Sequence, residues 1–231
     1  MNRRIVPTCA SLALTGLASA GPTIVSLTYG DLSGNYTATN ATSGTFMARA
    51  VDIPGVLRSA GTDSRLEGAL GTADFQPGFV SGADLADFVM TLSVTHTATT
   101  GTGSGSFTAT DADGDTITGL LNGTWSLQGT FIAFEGTMSN VLIHDNGTQD
   151  HTFNGSNTGS WDTNFSSGGP YNGAIVKLTE NAGNFFTSNF SDQATGVTAQ
   201  ITTFTAPLPA GVSAGGLTLG GVLGLRSRRR R

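Results

Sequence analysis

The chain has almost no sulfur to cross-link and little charge. Cys9 is the only cysteine in 231 residues, so no intramolecular disulfide forms and no multi-thiolate metal site can be built. Lys, Arg, Asp and Glu together make up only 12% of the residues, and positive charge is concentrated at the two ends. Of eleven Lys and Arg, Arg3 and Arg4 lie near the start, and Arg226 and Arg228 to Arg231 lie at the close. Between them stand only Arg49, Arg58, Arg65 and Lys177, with no basic residue from Leu66 to Val176. All 16 Asp and Glu fall within residues 21–205, which carry a net −12 behind the overall −5. A segment of that sign repels phosphates and anionic headgroups, which excludes nucleic acid and anionic lipid as its partners. Catalytic motifs are missing as well. There is no nucleophile elbow, H-E-x-x-H, P-loop or dinucleotide glycine signature, and the scattered acids single out no hydrolytic pair. The expectation is a non-enzyme.

What is present at the N-terminus reads as an export signal. Arg3 and Arg4 precede an apolar run from Ile5 to Leu17, and Ala18-Ser19-Ala20 is an A-x-A cleavage site before Gly21. Cys9 sits inside the apolar run, where it serves as a small hydrophobe and not as a lipidation site.

The last 26 residues form a second address. Pro207-Leu208-Pro209-Ala210 is followed by an uncharged, glycine-rich span to Leu225, and then by Arg226-Ser227-Arg228-Arg229-Arg230-Arg231. As a helix, Pro207 to Leu225 would cover about 28 Å, roughly one hydrocarbon core, with the arginines held on the cytoplasmic side. This order of proline motif, span and arginine cluster resembles the PEP-CTERM sorting domain in its Val-Pro-Leu-Pro-Ala variant, with Ala206 where that variant has Val. The resemblance covers about a tenth of the chain. It implies recognition by an exosortase, cleavage near Pro207, transient anchoring in the inner membrane, and a final place at the cell surface or outside a Gram-negative bacterium that makes exopolysaccharide.

The expected organisation is therefore a signal peptide (1–20), an acidic extracellular β domain (21–205) and a sorting tail (206–231) with a C-terminal hydrophobic helix. Lys and Glu are scarce in the body while Thr, Gly, Ser and Asn abound, which disfavours helix and suits half-exposed strands. Phe88 to Ala98 alternates strictly, with Phe88, Met90, Leu92 and Val94 on one parity and Thr91, Ser93, Thr95 and Thr97 on the other. His96 shares the buried parity as a core or edge histidine. Further strands are expected over 24–29, 35–39, 45–51, 106–110, 115–127, 130–138, 140–144, 174–178, 185–190 and 197–204. Four Gly-Thr steps before a large side chain, at Gly44, Gly123, Gly129 and Gly136, read as strand beginnings. Gly101 to Gly105 reads as a flexible connector or bulge, and Asp52 to Asp87 as an irregular loop with one helical turn, the expected home of a functional loop. Roughly ten short strands between turn signals predict an antiparallel β-sandwich or jelly roll. Trp125 should plug its core.

Two stretches offer metal ligands. Asp111, Asp113 and Asp115 in Asp-Ala-Asp-Gly-Asp could hold calcium, but Gly114 and Asn122 do not fit an EF-hand loop. A two-residue turn at Asp113-Gly114 would pair Asp111 with Thr116 and send Asp111 and Asp115 to opposite faces, which makes turn chemistry the simpler account. His144 and His151 flank a second turn at Asn146-Gly147, and a hairpin there would bring both imidazoles to one face as two ligands of a metal. Trp161, Phe165 and Tyr171 could stack on sugars, with core packing as the alternative. The function expected from these features is a structural or adhesive role in exopolysaccharide and biofilm. The alternative is a carbohydrate-binding module, assisted by calcium if a cofactor is used at all.

Overall fold

The computed structural model describes residues 22–68, 70–76, 87–146, 149–166, 168–180 and 185–203, and these belong to one compact unit, Gly21–Phe204. The signal segment with Ala18 and Ala20, the sorting motif Pro207 to Ala210, the arginines Arg228 to Arg231 and the expected C-terminal helix lie outside the described residues.

The described residues form fourteen strands and no helix: β1 (Thr23–Asn40), β2 (Ser43–Arg49), β3 (Asp52–Ile53), β4 (Leu57–Arg58), β5 (Ala60–Arg65), β6 (Gly71–Phe75), β7 (Phe88–His96), β8 (Thr100–Thr110), β9 (Thr116–Gln128), β10 (Phe131–His144), β11 (Thr152–Asn154), β12 (Thr158–Asp162), β13 (Tyr171–Glu180) and β14 (Phe190–Thr202). Apart from the small β3–β4 pair, they make one sheet in which every pairing is antiparallel. The all-β, antiparallel class is as the composition predicts.

The connectivity adds something that strand counting does not reveal. β2 pairs with β7 on one edge and with β1 on the other, so β1-β2-β7-β8-β9-β10-β13-β14 returns to β1 as a hydrogen-bonded ring. Two walls face each other across an apolar core, as in the expected sandwich. They are joined around both edges, however, and the ring strands follow chain order up and down. A jelly roll's crossovers are not seen among the described strands. Closure leaves those eight strands no free edge. The segments between β2 and β7 and between β10 and β13 supply β5-β6-β12-β11, a second patch of sheet that grows from the first part of β1.

β1 makes both possible. β14 runs along one edge from Thr23 to Tyr36, while the other edge is shared: Val25 to Gly30 pair with β5, and Ser33 to Asn40 with β2. The changeover falls at Asp31, whose φ of 52° kinks the strand between two register segments. Ser59 holds this fork. Its buried hydroxyl donates to the Asp31 carbonyl at 2.8 Å and accepts from the Val51 amide at 2.8 Å.

Within the ring, alternation does the burying. β7 points Phe88, Met90, Leu92, Val94 and His96 inward. Trp125 of β9 meets Phe134 of β10 at 4.9 Å between ring centroids, and Phe46 of β2 at 5.1 Å from the far wall. Gly103, Gly123 and Gly136 face one another across β8, β9 and β10 and form the seat for those rings. A Cβ on Gly123 would stand 2.6 Å from the Gly136 backbone and 2.7 Å from the Phe134 ring.

The structure corrects several expectations. Gly101 to Gly105 is the regular opening of β8, since each glycine makes room for an aromatic or a neighbouring backbone. Asp52 to Asp87 holds β3, β4, β5 and β6, so its described part is largely strand. Phe185 and Phe186 precede β14 and plug the core as bends instead of forming a strand. Gly123 and Gly136 lie inside strands and do not begin them.

Ser59→Ala strips a buried amide and a carbonyl of their shared partner, and is expected to cost about 1–3 kcal/mol. Urea unfolding of the full chain measures it; a loss under about 0.5 kcal/mol would show that the fork does not depend on this hydroxyl.

Candidate functional site

β8 ends at Thr110 and β9 begins at Thr116, with those two residues paired, so the connection is a five-residue loop and not the expected two-residue turn. The reason is Asp111. Its buried carboxylate accepts the amides of Asp113 (3.1 Å), Gly114 (2.9 Å) and Asp115 (2.7 Å) on Oδ1, and that of Asn154 (2.8 Å) on Oδ2. The Asp111 amide in turn donates to the Asp115 carbonyl at 2.9 Å. An acidic side chain that gathers four backbone donors dictates a wider loop than turn propensity alone predicts. Burial pushes the Asp111 carboxyl up to about 7; nearby Asp113 adds to the rise, while the Asn154 and Asp115 amides oppose it.

The consequence is convergence. One oxygen each from Asp111, Asp113 and Asp115 lies within 4.8 Å of the others, so these carboxylates do not diverge to opposite faces. Asp115 belongs equally to a second group, with Asp145 and Asp150 from the segment after β10, again within 4.8 Å. Asp115 Oδ1 ties the two segments together by accepting the Asn146 amide at 2.7 Å. Asp145 turns Oδ2 to His151, taking its Nδ1 at 2.7 Å, and leaves Oδ1 buried with no hydrogen-bond partner. Each group offers three carboxylates, oxygen donors of the kind a hard cation such as calcium takes. Asp111 organises the loop, and Asp115, Asp145 and Asp150 form the group drawn from two segments.

Among the described strands β10 and β11 do not pair: β10 ends at His144, which pairs with Thr116, and β11 pairs with β12, while Gly147 of the expected turn lies outside the described residues. The imidazoles of His144 and His151 are both exposed and neither joins a metal-holding group among the described residues. The acids between them, Asp145 and Asp150, are the useful groups. Sequence reading passed over them because a local hairpin was assumed, and only the long reach to Asp115 gives them a role. His96 is buried, with Nδ1 at 2.9 Å from the Thr97 carbonyl. Trp161 and Tyr171 are buried, and Phe165 packs beneath the Arg65 guanidinium at 4.6 Å, so the three aromatics serve the interior.

A second acidic feature has no sequence signal at all. Asp63 of β5 is fully buried and accepts the Tyr29 hydroxyl at 3.0 Å, and Asp87 is buried beside Ser156, whose hydroxyl donates to it at 3.3 Å. Burial raises both carboxyls, Asp63 well above the usual range and Asp87 to about 6. Comparison with protein-family models, with curated proteins and with solved structures finds no match.

Two outcomes follow from this geometry. Calcium should raise the thermal midpoint of the full chain, by about 2.7 kcal/mol of stability at a hundredfold excess over its Kd, and Asp145→Asn should blunt the rise; an unchanged midpoint in millimolar calcium would exclude the metal. The raised carboxyl of Asp87 costs stability as pH climbs. Near pH 4 and below, folded and unfolded states are both protonated; above it the unfolded chain releases a proton that the native state keeps until about pH 6. Stability should therefore fall between pH 4 and 6, and Asp87→Asn should make that fall shallower in urea titrations, the rest belonging to the raised carboxyls of Asp63 and Asp111.

Proposed function

We propose that this chain is an exported, non-enzymatic protein that exosortase sorting delivers to the cell surface or extracellular matrix, where it has a structural or adhesive role in exopolysaccharide and biofilm. The observation that carries this reading is the tripartite tail, Pro207-Leu208-Pro209-Ala210, uncharged span and Arg228 to Arg231, paired with an export signal at the opposite end. The body between them suits an extracellular setting: it is thiol-free, acidic and built on a closed ring of eight strands. The inner membrane is a transient partner and the exosortase a processing one.

A second reading, a carbohydrate-binding module assisted by calcium, draws on the carboxylates that converge from the β8–β9 loop and the segment after β10. A cation held by Asp115, Asp145 and Asp150 would clamp two segments 30 or more residues apart in sequence and hold that end of the ring rigid for a glycan. The two readings are compatible, since a matrix protein needs a point of contact with polysaccharide.

Intact mass of the protein recovered from its own cells tests the first. A mature chain lacking residues 1–20 and ending near Pro207 is expected. A chain that still ends at Arg231 would leave the tail as a plain anchor and remove the basis for sorting.

A further inference from the structure

On the outer face of the ring, at the β7–β8 turn, a cup of about 540 Å³ is bounded by six hydroxyl side chains: Thr95, Thr97, Thr100, Thr102, Thr124 and Ser126. Register explains the arrangement. Thr95, Thr102 and Thr124 form one row across three strands, and Thr100 and Ser126 open the next, with Thr97 Oγ1 at 3.0 Å from Thr100 Oγ1. His96, Gly101 and Trp125 lie between the rows on the opposite parity. These three complete the lining of the cup. Its volume is in the range of small-molecule sites.

We propose that this cup binds a neutral saccharide unit of a glycan chain. The inference rests on the glycan-contact reading above and names its site. Three features select the ligand. No lining residue is charged, in a body of net −12 where a charged ligand would need a counter-charge. Thr side chains present a methyl and a hydroxyl together, and the hydroxyls of Thr95, Thr102 and Thr124 have no protein partner among the described residues, which leaves them to donate to or accept from sugar hydroxyls. Phe131 adds a platform. Phe131 pairs with Gln128, two residues beyond Ser126 on β9, and is 49% exposed. An exposed ring beside a hydroxyl cup is the combination a pyranose uses, stacking C–H groups on the aromatic face while its edge hydroxyls hydrogen-bond. Glu135, opposite Thr124, borders the cup and turns away acidic sugars by repulsion.

The test is calorimetry and hydrogen-exchange footprinting of the full chain with neutral gluco-, galacto- and manno-oligosaccharides, and with oligogalacturonate as the acidic comparison. A neutral oligosaccharide should bind and protect residues 95–102 and 124–131. Thr102→Val and Thr124→Val should each weaken it about three- to tenfold, with Phe131→Ala acting in the same direction. Thr102→Ser, which keeps the hydroxyl, should restore binding, so a folding defect is separable from a lost contact. Binding that ignores these variants and disappears with a chelator would overturn the cup and leave glycan contact to the carboxylate loops. Preference for oligogalacturonate would overturn the neutral assignment, and no binding to any of the oligosaccharides would overturn both the cup and the glycan reading.

Discussion

The structure depends on one strand being hydrogen-bonded along both edges to three partners. A strand owes a partner to every amide and carbonyl it buries. β1 meets that demand for 18 residues by changing partner part-way along one edge, from β5 to β2. The change lets the ring close, because β2 can then bind β1 and β7 together. It also provides the edge from which β5, β6, β12 and β11 grow. A kink at Asp31 and one hydroxyl, Ser59, reconcile the two directions, so the ring and its extension share a single point of origin.

Closure limits what the interior can hold. Trp125, Phe134 and Phe46 fill it, and the glycine row of β8, β9 and β10 lets their rings lie close against the backbone. The abundance of glycine, which in isolation suggests loops, is in these strands a packing device. The hydroxyl-rich exterior and the aromatic interior are thus the two faces of one alternating pattern, and the same register that seats Trp125 lines up Thr95, Thr102 and Thr124 outside.

Acid management is the second organising theme. With four basic residues to 16 acids, ion pairs cannot neutralise the body. Arg65 is spent on carbonyls of Glu67 and Asp162. Buried carboxylates are held by other means: Asp111 by four backbone amides, Asp63 by the Tyr29 hydroxyl. Where Asp115, Asp145 and Asp150 meet, three carboxylates from two segments come within 4.8 Å of one another, each also accepting a backbone amide. The acid–base imbalance visible in composition becomes, in three dimensions, a local charge concentration.

The sequence by itself determined the class and the chemistry of the surface. Period-two alternation in 88–96, the scarcity of helix formers, the absence of thiols in the body and the segregation of charge are properties of short windows or of totals, and they survive without knowledge of which strand meets which. Asp111, Asp113 and Asp115 were legible as ligand candidates for the same reason. Tertiary structure alone decided the ring, the fork at Asp31, the burial of Asp63 and Asp87, and the union of Asp115 with Asp145 and Asp150. Each of these joins groups some 30 or more residues apart, through backbone pairing whose register carries no local signature. Local turn rules even misdirected the reading at Asp113-Gly114, because a buried carboxylate that gathers three local amides and a distant one outweighs the preference of two residues for a tight turn.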